Sequence, residues 1–432
     1  MKNALMKTPE FSSSLFRLNR SRLREMLPSQ SLVVVNANDV PPTNSDGTLL
    51  GVPNSDLFYL AGVEQEQTIL LLYPEAYDPK LREILFIREP NPLLATWEGH
   101  KLSKEEARAK TGIENILWLE DFPRMFHRLI CECDQVFLNS NEHKRAVIDV
   151  ETREARFVTD TLKRYPLHQY GRLARLMHQL RSVKSDVEVE FMRHSVDVTD
   201  AAFRRVLKFV KPGVYEHEVE AEYAHEFIRN RGRFAYPPII ASGANACVLH
   251  YVENNKPCRK GDMLLLDVGA CVNNYNADLT RTIPVSGKFS RRQKDVYRSV
   301  LRVVRASIAS LRPGLHVIDW QKQAEAMMEE ELLRLGLITR SQVKRQTEES
   351  PAFRKYFMHG LGHPLGLDVH DVGLTVKPIQ AGWVMTVEPG IYIGEEKLGI
   401  RLENNILVTD QGPVDLTGDI PVEPEDIEAA MQ

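Results

Sequence analysis

The chain has 432 residues, enough for two or three domains, and its 43% hydrophobic and 26% charged residues are typical of a soluble globular protein. A formal net charge of −4, from 55 basic and 59 acidic residues, does not indicate a nucleic-acid or membrane-surface partner. The five cysteines are scattered, the N-terminus lacks an uninterrupted apolar core, and no apolar run has membrane length. These features predict reduced thiols, no membrane association and a cytoplasmic location.

From SLVVVNAN (31–38) to about residue 150, short apolar runs alternate with amphipathic segments. Residues 103–112, SKEEARAKTG, are predicted to form a helix, because a serine and a glutamate three residues later form a capping box and a glycine closes the segment. Strands are predicted at three apolar runs bounded by turn residues: FYLAGV (58–63), TILLLYP (68–74) and REILFIRE (82–89). This alternation predicts an α/β domain.

Residues 171–230 have a strongly helical pattern, with one apolar stripe before a second capping box at Ser185 and Glu188. Short strand-like segments separated by glycine, proline and asparagine follow, and a helical stretch at 290–336 interrupts them. The change of pattern predicts an N-terminal domain, residues 1–175, and a larger C-terminal domain, residues 176–432.

The segment KGDMLLLDVGACVNNYNADLTRTIPV (260–285) is predicted to form two β-strands joined at Asn273-Asn274. A two-residue loop would place Asp267 opposite Thr280, with Asp278 diagonally beside Asp267 on the same face, within about 7–8 Å. Asp267 follows the apolar run MLLL, and a carboxylate in a buried strand needs a partner. The spacing suits two carboxylates that hold metal ions roughly 3.5–4 Å apart. A hydrogen-bonded structural aspartate is the alternative for either residue alone.

Two glutamates occupy strand-like positions further along the chain. Glu388 ends the apolar run of GWVMTVEPGIY, just before a Pro-Gly turn, and Glu403 lies within LGIRLENNILVTD, two residues after Arg401. Glutamate is uncommon in strands and rarely buried without a partner. Four acidic residues at four strand-like positions therefore indicate one constellation rather than unrelated structural carboxylates.

Three histidines lie in HGLGHPLGLDVHD, residues 359–371. The spacing of His359 and His363 is that of the helical zinc-protease motif, but the glycines and proline exclude a helix and no glutamate follows His359. The segment is therefore predicted to be extended or looped, with its partners elsewhere. One imidazole and four carboxylates form a mostly oxygen site, which favours Mn²⁺ or a similar ion and hydrolytic chemistry.

This ordered set of four carboxylates and one histidine resembles the five-ligand set of the pita-bread metallopeptidases, family M24, which include methionine aminopeptidases, prolidases and Xaa-Pro aminopeptidases. The step from His363 to His370 in GHPLGLDVH is shared across that family, and LHYVENN (249–255) is similar to the sequence around an active-site histidine of Xaa-Pro aminopeptidases. DLFYLAGVEQEQTILLLYP (56–74) and TWEGHKLSKEEA (96–107) resemble their N-terminal domain. The resemblance implies an α/β (α+β) chain with a C-terminal pita-bread catalytic domain and a smaller N-terminal α/β domain.

The resemblance also implies roles for individual residues. His250 and His370 would contact the substrate and stabilise the tetrahedral intermediate, and Glu388 would pass a proton. Arg401 and Tyr392 would belong to the active site, with His359 lining the substrate pocket near the proline. The implied metal ligands are Asp267, Asp278, His363, Glu388 and Glu403.

The implied activity is hydrolysis of an N-terminal Xaa-Pro peptide bond by a metal-bridging hydroxide, with two divalent ions per chain, Mn²⁺ before Co²⁺ or Zn²⁺. The expected partners are peptides with proline at the second position, and further copies of the chain in a homodimer or homotetramer. For Trp97 and His100 two readings stay open in such an assembly: a structural role, or an approach to the active site of a neighbouring subunit. Two alternatives stay open: a prolidase restricted to Xaa-Pro dipeptides, and a metal-free pita-bread binding module.

Overall fold

The computed structural model describes Met6 and residues 9–49, 51–147 and 149–432. Most of the first eight residues, on which the expectation of no signal sequence partly rested, lie outside the described residues. The chain divides into two compact units, an N-terminal unit, Glu10–Arg181, and a C-terminal unit, Ser182–Gln432 with the described residues before Glu10. Within the described part of the chain, no helix has both the length and the apolar character needed to cross a bilayer.

A six-stranded mixed sheet organises the N-terminal unit. Its strands are β1 (Ser31–Asn36), β2 (Ile69–Leu72), β3 (Glu83–Ile87), β4 (Asn115–Trp118), β5 (Gln135–Leu138) and β6 (Gln169–Arg172). Its helices are α1 (Ser13–Met26), α2 (Ser55–Ala61), α3 (Pro92–Glu98), α4 (Lys104–Thr111), α5 (Phe122–Ile130), α6 (Arg153–Arg164) and α7 (Leu173–Ser182). The strands lie in the order β4-β3-β2-β1-β5-β6, and alternate residues of β1, β2 and β3 pack with α5 in one core. The unit is therefore an α/β domain.

Helix capping explains the outcome of two local predictions in this unit. The predicted helix at 103–112 is confirmed as α4, because the side chains of Ser103 and Glu106 each accept a hydrogen bond from the other's backbone N–H. The strand predicted at 58–63 is wrong, because these residues lie in and just after α2. Asn54 caps the first turn of α2, and Gly62, at φ 68°, ends it in the left-handed conformation.

The misassigned run is apolar throughout, which explains the error. Residues 57–61 are all buried, so the sequence carries neither the period of a helix nor that of a strand. The predicted strands at 68–74 and 82–89 are confirmed as β2 and β3, which pair antiparallel.

The C-terminal unit combines helix pairs with several short antiparallel sheets. Its helices are α8 (Asp186–Phe209), α9 (Glu216–Arg229), α10 (Arg291–Ser310), α11 (Val317–Arg334), α12 (Arg340–Arg345) and α13 (Pro424–Ala430). The strands of its first half are β7 (Arg233–Phe234), β8 (Ile239–Ser242), β9 (Met263–Asp267), β10 (Ala270–Val272), β11 (Tyr275–Asn276) and β12 (Thr280–Pro284). Those of its second half are β13 (Val384–Val387), β14 (Gly390–Ile393), β15 (Leu398–Arg401), β16 (Asn404–Thr409) and β17 (Gly412–Asp415).

The two halves of this unit have similar layers. Helices α8 and α9 pack on each other and on strands β7, β8, β10 and β11, whereas α10 and α11 pack on each other and α10 covers β13, β14, β15 and β17. The helix predicted from Ser185 is confirmed as α8, with the reciprocal capping box to Glu188. Strands β9 and β12 contact β15, which joins the sheets of the two halves.

The predicted hairpin at 260–285 is confirmed in register and divided into four strands. Asn273 and Asn274 form its two-residue turn at φ 52° and 64°, left-handed values that asparagine tolerates. Asp267 pairs with Thr280. Gly269 interrupts the ladder, and a Cβ there would lie 1.8 Å from the carbonyl oxygen of Ala277. The hairpin therefore bends between two sheets, with Asp267 and Asp278 beside the bend.

Candidate active site

Asp267 and Asp278 face the same side of the hairpin. The hydroxyl oxygen of Tyr236 lies 2.6 Å from Asp267 Oδ1 and 2.5 Å from Asp278 Oδ1, so its single proton is shared between the two carboxylates. Asn405 fixes the backbone of Asp278 by accepting a hydrogen bond from its N–H at 3.1 Å. One half-buried tyrosine thus joins two carboxylates that are eleven residues apart in the sequence.

The second half of the unit brings His363 and Glu388 to the same place. The backbone around His363 runs beside β13, with Thr386 N–H donating to His363 O at 2.9 Å and Glu388 N–H donating to Leu361 O at 2.8 Å. His363 Nδ1 donates to the carbonyl of Pro364 at 2.9 Å. Its Nε2 therefore faces the carboxylates, 3.5 Å from Asp278 Oδ2 and 3.6 Å from Glu388 Oε1.

Glu403 contributes the most buried carboxylate of this cluster, at 1% exposure. Its Oε2 accepts a hydrogen bond from Thr280 Oγ1 at 2.7 Å, while Oε1 has no hydrogen-bond partner among the described residues. One donor atom each from Asp278, His363 and Glu403 lies within 4.8 Å of the others. A buried oxygen without a donor is costly, and a divalent cation would satisfy it. The donor set of carboxylates and one imidazole therefore fits a metal site.

The electrostatics of the cluster also favour a cation. Burial, followed by the negative charge of Asp267, raises the pKa of Asp278 well above its usual range. Burial, followed by the charges of Asp278 and Glu388, does the same for the pKa of Glu403. Like charges in a buried site oppose ionisation, so a cation among these carboxylates would stabilise their charged forms.

A chain of hydrogen bonds extends from the carboxylates to His359. Arg401, 4% exposed, donates to Asp267 Oδ2 and, at 3.0 Å, to the hydroxyl of Tyr392. That hydroxyl lies 2.8 Å from His359 Nε2, and His359 Nδ1 donates to Gly360 O at 2.9 Å. Burial, followed by the charge of Arg401, lowers the pKa of His359 to about 4. His359 is therefore a neutral ring near pH 7.

Two further histidines border this cluster on the exposed side. The ring of His370 packs edge to face against that of His363. His250 is exposed in the turn after the short 3-10 helix Gly243–Cys247, and its charge is one of the causes that lower the pKa of His359. The structure thus brings every site residue expected from the sequence into one region of the C-terminal unit.

Tyr236 was missed by the sequence analysis. It lies between β7 and β8 in FAYPPII, and nothing in that stretch distinguishes its hydroxyl from that of any other tyrosine. In the N-terminal unit, Trp97 is 80% exposed and His100 lies 2.9 Å from Glu106. For both residues, an approach to a neighbouring active site stays an open alternative to a structural role.

Carboxylates and an imidazole gathered at the strand ends and connections of several short antiparallel sheets define a metal-dependent hydrolase, with one buried carboxylate oxygen among them that has no hydrogen-bond partner in the described part of the chain. Comparison with family models identifies the family of hydrolases to which the chain belongs. The model described as Metallopeptidase family M24 matches residues 190–410, and the model described as Aminopeptidase P, N-terminal domain matches residues 16–137. The chain belongs to metallopeptidase family M24, and the expected pairing of an N-terminal α/β domain with a pita-bread domain is confirmed.

Known relatives are similar over nearly the whole chain. Xaa-Pro aminopeptidase of Escherichia coli (strain K12) is 31% identical, covering 98% of both chains, and that of Haemophilus influenzae is 32% identical, covering 96% of both. Among solved structures, aminopeptidase P from Escherichia coli with the inhibitor Pro-Leu matches with a TM-score of 0.87 at 29% identity. That match covers 98% of this chain and 99% of the other.

Proposed function

We propose that the chain is a dinuclear metallo-aminopeptidase that hydrolyses the N-terminal Xaa-Pro bond of peptides with proline at the second position. The observation that carries this proposal is the convergence of Asp278, His363 and Glu403, with one buried oxygen of Glu403 lacking a described partner. The substrate class follows from the relatives, which are named for cleavage at Xaa-Pro and are similar across both domains.

Two divalent cations are assigned to the carboxylates and one imidazole. The proposed ligands are Asp267, Asp278, His363, Glu388 and Glu403. Mostly oxygen donors favour Mn²⁺, although Co²⁺ and Zn²⁺ are compatible with the same set. When bound, such ions polarise the scissile carbonyl and lower the pKa of water.

The chain's own residues then bind and orient the peptide. Glu388, on the partly exposed side of the cluster, accepts a proton from the attacking water and delivers it to the departing proline nitrogen. His370 and His250 donate hydrogen bonds to the carbonyl oxygen as negative charge develops there. The acidic cluster also attracts the free α-amine of the substrate, which selects the peptide's N-terminus.

The proline pocket is assigned to His359 and Tyr392. A proline ring offers no N–H, so the wall that holds it needs apolar contact rather than an acceptor. The neutral ring of His359 packs edge to face on Phe357, with 5.2 Å between centroids. Arg401 keeps Tyr392 and Asp267 in fixed relation by donating to both.

The two alternatives from the sequence are less well supported. A prolidase restricted to dipeptides is not favoured, because the named relatives that match the full chain are aminopeptidases. A metal-free binding module gives no account of the convergence of Asp278, His363 and Glu403, or of a buried Glu403 oxygen that has no hydrogen-bond partner among the described residues. A cytoplasmic location remains part of the proposal, on the scattered positions of the five cysteines. A homodimer or homotetramer remains part of the proposal, on family resemblance.

Turnover of Xaa-Pro dipeptides against Xaa-Pro-Yaa peptides, with Mn²⁺ added to metal-depleted protein, tests the proposal. We expect release of the first residue from Xaa-Pro-Yaa, no cleavage when alanine replaces proline, and two bound ions per chain by metal analysis. Asp278→Ala should be inactive with an unchanged circular dichroism spectrum. Activity on the dipeptide alone would identify a prolidase, and fewer than one ion per chain would favour the binding module.

A further inference from the structure

Outside the metal-ligand cluster, the carboxylate of Glu216 is the centre of a buried hydrogen-bond network. Glu216 begins α9 and is 0% exposed. Its Oε1 accepts from the N–H of Ser242 at 2.8 Å, from the hydroxyl of Ser242 at 2.7 Å and from Asn245 Nδ2 at 3.2 Å. Its Oε2 accepts from the hydroxyl of Tyr251 at 2.8 Å and from the N–H of Lys256 at 2.9 Å. One carboxylate thus receives five hydrogen bonds.

All five donors come from a single stretch of chain, residues 242–256. The stretch leaves β8, forms a short 3-10 helix and passes through the exposed turn that carries His250. Tyr251, directly after His250, points the other way, is 5% exposed and packs in an apolar cluster with Tyr392. The alternation of an exposed imidazole with an anchored tyrosine fixes the side of the turn to which His250 points.

A second buried side chain holds the far end of the same turn. Asn254, 3% exposed, accepts from Ile240 N–H at 3.1 Å and donates to Pro238 O at 3.0 Å and to Glu220 Oε2 at 2.9 Å. Its φ of 44° is left-handed, a conformation that asparagine tolerates better than most residues. The stretch 242–256 is thus attached to α9 on both sides of His250.

We propose that Glu216 is a positioning residue for the proposed aminopeptidase, holding the 242–256 segment so that the imidazole of His250 meets the substrate carbonyl. The catalytic part of this inference, an effect on turnover, rests on the proposed function. The structural part, that Glu216 holds the segment, rests on the hydrogen-bond network. A carboxylate suits this position because both oxygens accept several bonds, whereas an amide has one accepting atom and two donors of its own. In Glu216→Gln, the amide NH₂ group replaces one accepting oxygen and faces groups that are themselves hydrogen-bond donors.

Two measurements on the full-length, Mn²⁺-loaded protein test the inference. Hydrogen exchange of residues 242–256, followed by mass spectrometry, should accelerate in Glu216→Gln. On an Xaa-Pro-Yaa peptide, kcat should fall by roughly 10- to 100-fold with little change in KM, because a displaced catalytic group is lost mainly from the transition state. In a His250→Ala background, Glu216→Gln should cause no further loss, since the group it positions is already gone.

Glu154→Gln is the matched control, because it makes the same substitution at a buried carboxylate of the N-terminal unit. It should leave both measurements at wild-type values. If Glu216→Gln fails to fold, Tyr251→Phe removes one donor and keeps the carboxylate, and is subjected to the same exchange and double-mutant tests.

Equal losses of kcat with and without His250 would overturn the inference, and so would exchange that is unchanged in residues 242–256. A wild-type enzyme that cleaves no Xaa-Pro-Yaa peptide would overturn the proposed function and the catalytic half of the inference together. Hydrogen exchange would in that case still decide whether Glu216 holds the segment, so the two failures are distinguishable.

Discussion

The imidazole rings of His363 and His370 meet edge to face, with 4.3 Å between their centroids and 76° between their planes. Their surroundings differ although the rings touch. Nε2 of His363 faces Asp278 and Glu388 at 3.5 and 3.6 Å, whereas His370 is exposed. The third histidine of the segment, His359, is hydrogen-bonded to Tyr392 instead. One short segment therefore supplies three imidazoles with separate neighbours, and their functions can be separated by substitution.

His363→Ala and His370→Ala should both lose activity, but for different reasons. His363→Ala removes a proposed metal ligand. Removing a residue that only supports a ligand typically weakens metal binding by about 10- to 100-fold, so the loss in His363→Ala should be at least that large. His370→Ala should keep its metal and lose about 10²- to 10³-fold in kcat, the usual effect of removing one donor to an oxyanion. Calorimetric metal titration and steady-state kinetics distinguish the two. Equal metal affinities in the two variants would contradict the assignment.

Tyr236→Phe should weaken metal binding without touching a ligand. The substitution removes the hydroxyl that lies within hydrogen-bonding distance of both Asp267 and Asp278, so each carboxylate gains rotational freedom. Supporting hydrogen bonds of this kind are worth about 10- to 100-fold in metal affinity. Tyr170→Phe is the control, because it removes a hydroxyl that donates at 2.7 Å to a carbonyl in the N-terminal unit. An affinity for Mn²⁺ that is equal in both variants would show that Tyr236 does not orient the carboxylates.

The position of Asp267 could be predicted from the sequence, whereas the role of Tyr236 could not. The pairing of Asp267 with Thr280 was predictable, because a two-residue turn and the two-residue period of a strand fix the register. Tyr236 lies 31 and 42 residues before the two carboxylates that it joins, on a connection with no periodic pattern. Its contact depends on how two sheets pack, and no local signal encodes that. The error at α2 has a different cause: residues 57–61 are all buried, so no periodicity separates a helix from a strand, and only the capping residues Asn54 and Gly62 mark the helix.

Glycines beside the histidines should differ sharply in their tolerance of a methyl group. A Cβ at Gly362 would lie 2.0 Å from the carbonyl oxygen of Thr386, whereas a Cβ at Gly360 would meet nothing nearer than 3.9 Å. Gly362→Ala must therefore push the backbone of His363 away from β13. Overpacking of this kind costs typically about 1–3 kcal/mol. We expect a lower melting temperature and weaker metal binding in Gly362→Ala, with Gly360→Ala close to wild type. Similar behaviour of both variants would contradict the close approach.

Glu154 makes the stability of the N-terminal unit depend on pH. Its carboxylate, on α6, accepts hydrogen bonds from Asn36 N–H at 2.7 Å and from Asn36 Nδ2 at 2.9 Å. Burial nevertheless raises its pKa to about 7, from a usual value of 4.5. The folded state therefore keeps its proton to a higher pH than the unfolded state does. The resulting stabilisation is complete below about pH 4.5 and is lost as the pH rises to about 7.

Glu154→Gln should flatten this dependence, because an amide does not titrate. Each pKa unit corresponds to about 1.36 kcal/mol, so the wild type should lose stability on the order of 3 kcal/mol relative to the variant between pH 4.5 and 7. Scanning calorimetry or urea unfolding of both proteins across this range measures the difference. Glu114→Gln changes a side chain that is 85% exposed and should follow the wild-type curve. Parallel curves for wild type and Glu154→Gln would show that Glu154 ionises alike in the folded and unfolded chain.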